Sequence, residues 1–161
     1  MDPIAEAHRQ WREHGWDDAA KSMVAVTSLT RVQQLLHQRI DTMLKPYDLT
    51  FARYEVLMLL AFSSRGSLPM STIGSRLQVH PASVTSAVER LERQGFVSRE
   101  RTESDRRMVL ARITPSGRRT AEGATQELNA EVFAGLGLST RDLATLNRLL
   151  ADVRRHEGDL D

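Results

Sequence analysis

The side chains best suited to chemistry in this chain are the hydroxyl and guanidinium groups of Ser83, Thr85, Ser86 and Arg90, which fall within one short window. Pro81 can take the first position of a helix, where its missing N–H costs nothing. Val84, Val88 and Leu91 then recur at i, i+4 and i+7 as a single apolar stripe. Ser83, Thr85, Ser86, Glu89 and Arg90 avoid that stripe and so face outward. Short hydroxyls near a helix start suit phosphate contact, because they add donors to the free backbone N–H groups there. Arg90 reaches further, and a bidentate contact to guanine is its most specific use. His80 reads as a turn residue ahead of the helix in preference to a base reader. Catalytic chemistry finds no comparable window. His8, His14, His37, His80 and His156 show no HExxH or other tight metal-ligand spacing, and neither a Gly-rich phosphate loop nor a nucleophile elbow is present. The expectation is a protein that is not an enzyme and needs no metal or cofactor.

The elements that must position those groups are legible around them. Gly95 stops the helix. Phe96 to Arg101 and Met108 to Ile113 read as two short strands, and the polar Thr102 to Arg107 between them as their exposed connection. Thr114-Pro115 restarts a helix as cap and first turn. Upstream, Ser71 is a good cap for a short helix over Thr72 to Leu77, and Gln78-Val79-His80 is the turn into the next helix. Two helices joined by such a turn, followed by a hairpin with a charged tip, outline a winged helix-turn-helix. The fold class expected is mainly α with a small β-hairpin.

The rest of the chain supplies long helices. Pro3 to His14 favours a short helix, with Trp11 and Trp16 on either side of Gly15. Those tryptophans either pin the arm onto the body or a partner subunit, or form one wall of a ligand pocket. Asp17 or Asp18 can cap a helix running to about Lys45, in which Val26, Leu29, Leu36, Ile40 and Met43 make a seam. Thr50 caps a nearly all-apolar helix from Phe51 to about Ser63. It contains Tyr54 and Glu55, the latter either at a solvated or paired edge or facing a polar pocket. Leu68-Pro69-Met70 reads as a short extended piece. After the hairpin one helix runs from Ser116 to about Ala134. Ser139 and Asp142 resemble a capping box, and Leu143, Leu146, Leu150 and Val153 form a last seam. The seams lie outside the winged part and need each other, or another subunit, to be buried.

A length of 161 residues with 40% apolar content suits a single globular domain. The absence of cysteine excludes disulfides and thiolate chemistry, and no apolar run is long enough for a membrane span or a signal peptide. A cytoplasmic protein with no membrane contact is expected. The charges are uneven. Arg65 to Arg119 holds eleven arginines against five acids, a balance of +6, and the remaining eleven basic and sixteen acidic residues give −5. A basic middle between acidic flanks is the footprint of a part that meets a polyanion.

The run Leu91-Glu92-Arg93-Gln94-Gly95-Phe96-Val97, then seven residues to Asp105-Arg106-Arg107, then six to Thr114-Pro115-Ser116-Gly117, resembles the signature of the MarR family of bacterial transcription regulators. The resemblance covers about residues 20–155. It implies a single domain over 1–161 with an arm at 1–16, dimerisation helices at 17–48 and 116–161, and a winged DNA-binding part at 50–115. It further implies a cytoplasmic homodimer that binds pseudo-palindromic double-stranded DNA as a repressor and releases it when a phenolic or other anionic small molecule binds. The competing reading is a winged module for protein or RNA contact without effector control.

In that family the arginine of a D-x-R wing tip enters the minor groove and the aspartate holds it, which assigns those roles to Arg107 and Asp105. A neighbouring carboxylate can orient the guanidinium beforehand, and arginine suits the negative potential of a narrow minor groove. Arg106 is then a phosphate contact or a solvated charge, and Arg99, Arg101 and Arg112 are expected beside the DNA backbone. The effector pocket is expected between the first two helices, the winged part and the fifth helix, with Trp11, Trp16, Arg31, His37, Tyr54 and Glu55 as candidate lining. The Trp-bearing arm resembles extensions in a subset of the family that includes urate-responsive members. Those members carry an arginine where this chain has Ala87, which argues against urate.

Overall fold

A computed structural model describes residues 1–160. Among them the order is α1 (Pro3–Glu13), α2 (Asp17–Leu44), α3 (Phe51–Phe62), β1 (Ser67–Pro69), α4 (Met70–Leu77), α5 (Pro81–Arg93), β2 (Val97–Arg101), β3 (Val109–Ile113), α6 (Pro115–Leu128) and α7 (Thr140–His156). The chain forms two compact units, residues 1–124 and the part from Thr125 onward. Asp2 caps α1 by accepting the Ile4 N–H at 2.9 Å, with Pro3 at the first helical position. Asp17 and Asp18, expected as caps of α2, instead sit in its first turn. Trp16 holds the cap position without a side-chain bond, and Asp17 pairs with Arg12 at 3.0 Å. Their charge still complements the positive helix end. Pro46 lies in a single 3-10 turn, Lys45–Tyr47, that closes α2, and Asp48 follows with φ 51, in the left-handed region. Thr50 caps α3, its hydroxyl accepting the Arg53 N–H at 3.3 Å.

The core of the first unit gathers around α3. Tyr54, Val56, Leu57 and Leu60 are buried, as are Ile73 of α4, the α5 stripe Val84, Val88 and Leu91, and Val97, Ala111 and Ile113 of the strands. Each large aliphatic side chain buried this way contributes about 1.5–3 kcal/mol. The turn between α4 and α5 passes through Gln78 at φ 55, and Gly74 lets the two helices approach: a Cβ there would lie 3.3 Å from the Val84 side chain. Ser71 is not a cap. Pro69 leads from β1 directly into α4, which starts at Met70 and leaves Ser71 in the first turn.

The strands form an antiparallel sheet of order β1-β3-β2, with Leu68 opposite Ala111 and Arg99 also opposite Ala111. The hairpin expected from the sequence is present, each strand beginning one residue later. The extended piece beside Pro69 becomes a third strand because it pairs with the other edge of β3. The fold is a mainly α winged helix-turn-helix. Thr114 ties α6 to the hairpin: its N–H donates to the Phe96 carbonyl at 3.0 Å, its hydroxyl donates to the Gly95 carbonyl at 2.7 Å, and the Thr114 hydroxyl oxygen accepts the Gly117 N–H at 3.0 Å. Gly117 is pressed so closely on this corner that a Cβ would stand 2.1 Å from the Phe96 carbonyl oxygen.

In place of one α-helix to Ala134, the chain after Leu128 takes a π turn, Asn129–Phe133, in which Val132 is buried and Phe133 exposed. Ser139 caps α7, accepting the Asp142 N–H at 3.1 Å and donating to its carboxylate at 2.7 Å. No residue of α7 is fully buried; Leu143, Leu146 and Leu150 are half-buried and Val153 is exposed. No helix among the described residues is long and apolar enough to cross a membrane.

The Gly117 contact is tested by Gly117→Ala. Forcing backbone apart at a packed corner is expected to cost about 1–3 kcal/mol, which for a chain of this size lowers the melting temperature by roughly 3–10 °C at fixed protein concentration. Calorimetry would read it; an unchanged melting temperature would mean that the corner yields freely.

Candidate nucleic-acid interface

His80 begins the recognition helix α5 by capping it: its Nδ1 accepts the Ala82 N–H at 3.1 Å. It is thereby a turn and cap residue. Burial of Val84, Val88 and Leu91 leaves Ser83, Thr85, Ser86 and Arg90 exposed on the opposite side. Ser83, Ser86 and Arg90 run along one edge of an open groove of about 620 Å³, completed by the cap residue Thr50, by Ala52 and Arg53 of α3 and by Arg93. Thr85 lines a second groove of about 620 Å³, which it shares with Ser71, Arg99, Asp105, Arg107 and Met108. Its hydroxyl donates back to the Pro81 carbonyl at 3.1 Å, so its outward side offers the methyl group and acceptor lone pairs. Arg53 and Arg93 were not singled out in the sequence. Arg53 sits in an apolar run, and only the crossing of α3 and α5 brings it to the groove.

The wing tip is an ordered turn. The Thr102 hydroxyl donates to the Asp105 carbonyl at 2.7 Å and accepts the Asp105 N–H at 3.2 Å, and the Met108 N–H donates to the same carbonyl at 3.0 Å. Asp105 accepts the backbone N–H of Arg107 at 2.9 Å. The carboxylate thus shapes the turn that carries Arg107 in place of gripping its guanidinium, which corrects the reason expected for that pairing. Such local side-chain to backbone bonds are the habit of aspartate in tight turns. Arg106 and Arg107 are both exposed at the tip, as is Arg101 on β2.

Two arginines expected beside DNA have other partners. Arg99 binds Glu92 through two nitrogens, at 2.9 and 2.7 Å, and lies 3.6 Å from Glu89. Strand β2 is thereby clamped to α5. The hydrogen bonds from Arg99 hold the Glu92 carboxyl below the usual carboxylate range, and in return the Arg99 guanidinium is held above its ordinary value. Arg112 is bound to Glu100 at 3.2 Å and to the Arg65 carbonyl at 3.0 Å. Arg99 thus ties β2 to α5, and Arg112 ties β3 to β2 and to the turn ahead of β1.

Arg90 has a neighbour the sequence did not suggest. Its guanidinium lies 3.5 Å from the carboxylate of Asp48, which also accepts the Gln94 side-chain N–H at 2.9 Å. Gln94 and Arg53 both donate to the Asp48 carbonyl, at 2.7 and 2.8 Å, and Arg53 also donates to the Gln94 side-chain oxygen at 2.8 Å. Partial burial lowers the Arg53 pKa; the Asp48 charge works against that and the Arg90 charge adds to it.

The six candidate effector residues fall in three places. Trp11 and Trp16 meet edge to face with ring centroids 5.3 Å apart, and His14 stacks on Trp16 at 5.4 Å; Trp16 remains 53% exposed. On α2, Arg31 is exposed beside Gln34, and His37 lies 3.4 Å from Asp41 in an open groove with Gln33, Gln38 and Lys45. On α3, Tyr54 is buried and stacked on Phe51, and half-buried Glu55 has its carboxyl pushed up by desolvation.

Residues 49–109 match the model of the MarR family. The chain is 45% identical to Sco5413, a MarR family transcriptional regulator from Streptomyces coelicolor. The likeness covers 88% of this chain and 98% of that one with a TM-score of 0.77. It is 27% identical to Sco3205 of the same organism, a MarR family regulator solved in complex with DNA, over 85% of this chain and 88% of that one, with a TM-score of 0.74. Among curated proteins it is 30% identical to the HTH-type transcriptional regulator YhbI of Bacillus subtilis, over 72% of this chain and 75% of the relative.

The clamp on the wing is tested by Glu92→Gln. A carboxyl with a depressed pKa contributes fully at neutral pH and loses its contribution as the pH falls through the lowered value. At neutral pH, hydrogen exchange of the β2 and β3 amides is expected to run a few-fold faster in the variant, and the difference from wild type should shrink in acid. Identical exchange at neutral pH would show that the ion pair does not hold the wing.

Proposed function

The chain belongs to the MarR family, and from that premise we propose that it is a homodimeric repressor. It binds a pseudo-palindromic DNA duplex and releases it when a phenolic or other anionic small molecule binds. It is a transcription regulator and not an enzyme. The observation that carries the DNA reading is the groove in which Thr85 of α5 and Arg107 of the wing share one lining, with Ser83, Ser86 and Arg90 exposed along the next. Such a surface presents a helix to the major groove and an arginine to the adjacent minor groove. The serines serve as phosphate or base contacts, and Arg90 serves as the reader of guanine. Asp105 sets the turn that aims Arg107, and Arg106 meets phosphate. The DNA complex of the similar Sco3205 supports the same reading.

Dimerisation is supported by apolar residues that this chain leaves uncovered: Val26, Leu29, Val32 and Leu35 on α2, and Leu149 and Val153 on α7. Exposed apolar side chains at helical spacing mark an interface. Two recognition helices held about one DNA turn apart then read the two halves of a palindrome, and a ligand that alters their separation weakens binding without touching DNA. Trp11, Trp16, Arg31, His37, Tyr54 and Glu55 remain the candidates for the effector site. In three separate places within one chain, they would serve one ligand only if the partner subunit completes the pocket.

Sedimentation and gel retardation test the proposal together. The protein is expected to sediment as a dimer, to select a palindromic duplex from a random pool at moderate salt, and to release it on addition of phenolic acids. A monomer that retards no duplex would sink the reading, and indifference to every small anion tried would remove the effector. For the wing, Arg107→Ala is expected to weaken binding and to lower the slope of log affinity against log salt by roughly 1 per site. Unchanged affinity across several salt concentrations would take Arg107 out of the interface.

A further inference from the structure

We infer that Arg53 of α3, which lies outside both the recognition helix and the wing, is a phosphate contact braced in advance by Gln94, and that it fixes the register of the protein on the DNA backbone. This deepens the DNA reading proposed above and rests on it. A guanidinium carries five N–H donors in a rigid plane. At Arg53 the Nε–H donates to the Thr50 hydroxyl at 3.3 Å, and Nη1 donates to the Asp48 carbonyl and to the Gln94 side-chain oxygen, both at 2.8 Å. Those three acceptors are all neutral. Among the described residues nothing takes the N–H groups of Nη2.

Arg53 lines the same groove as Ser83, Ser86 and Arg90 of α5, and it brings its charge there without a bonded anion. The Asp48 carboxylate acts on it only at longer range, being bonded to Gln94 and 3.5 Å from Arg90. The half-buried guanidinium has therefore lost part of its water without gaining an anion, and a phosphate oxygen supplies one. The same donors rule out base reading while the brace holds: a bidentate contact to guanine takes N–H groups from two nitrogens, and only Nη2 is left. The brace also removes in advance the rotamer freedom that a long side chain loses on binding. Arg90 differs at each point. It is exposed, and its side-chain contact is a single one of 3.5 Å, so it can turn toward a base edge. Helix α3 then positions and α5 reads, the division of labour between phosphate and base contacts.

The test is fluorescence anisotropy on the full chain, with a duplex that the wild-type protein selects from a random pool and one of shuffled sequence, each at several salt concentrations. Arg53→Gln is expected to weaken both duplexes alike, by about ten-fold, and to lower the slope of log affinity against log salt by roughly 1 per site. Gln94→Ala removes the brace and keeps the charge. It is expected to weaken both duplexes about three- to ten-fold with the slope unchanged, and to have no further effect in an Arg53→Gln background. Loss on the selected duplex alone would make Arg53 a base reader, loss without a change of slope would make it a structural tie between α3 and α5, and unchanged affinity would take it out of the interface; each overturns the proposal. A Gln94→Ala effect that persists without Arg53 overturns the brace. If Arg53→Gln does not fold, Arg53→Lys decides. The wild-type slope with several-fold weaker binding of both duplexes supports a braced phosphate contact, whereas wild-type affinity, or failure of this variant to fold as well, overturns it. A wild-type protein that binds no duplex overturns the DNA reading itself, while one that binds DNA and is indifferent to these substitutions overturns only the role of Arg53.

Discussion

The candidate interface depends on the burial of one stripe, Val84, Val88 and Leu91, on the recognition helix. A helix turns 3.6 residues per cycle, so removing those three side chains from water fixes which residues are left outside. Ser83, Ser86 and Arg90 then lie along one exposed edge and Thr85 along another. The same burial sets the height of α5 against α3, through which Arg53 reaches the groove, and the position of the corner where Phe96, Thr114 and Gly117 join the hairpin to α6.

Ion pairs then divide the basic middle of the chain into two populations. Arg99 and Arg112 are bound to carboxylates of the winged part, where they set the geometry of the hairpin. Arg106 and Arg107, held up by a tip whose turn is tied by Thr102 and Asp105, remain exposed. Arg90 lies between these groups, with a loose partner that it can give up. A count of charges alone overstates the surface available to a polyanion, because a guanidinium already spanned by a carboxylate is both neutralised and constrained.

The long helices carry a different kind of information. On α2, Ile40 and Leu44 are buried while Val26 is 63% exposed, so the seam changes character along its length. A row of apolar residues left in water along one helix differs from the single exposed apolar side chains that any protein surface carries. The aromatic corner of Trp11, His14 and Trp16 shows the same incompleteness, being packed within itself and open outward.

Local chemistry was readable without coordinates. The Pro81 start and Gly95 stop of α5, its buried stripe, the Thr50 and Ser139 caps, the hairpin and the helix-turn-helix all follow from periodicity and turn chemistry within a few residues. The resemblance to the MarR family rested on the same short spacings, and the chain is a member. What the sequence could not reveal is who partners whom. Asp48 with Gln94 and Arg90, Arg112 with the Arg65 carbonyl, and β1 with β3 join residues more than forty positions apart. Even the nearer Arg99–Glu92 pair requires a strand to fold back on a helix. A charged side chain carries no record in its type or spacing of which opposite charge it will meet. That is decided when burial of the apolar stripes brings distant segments together, and only the tertiary structure records it.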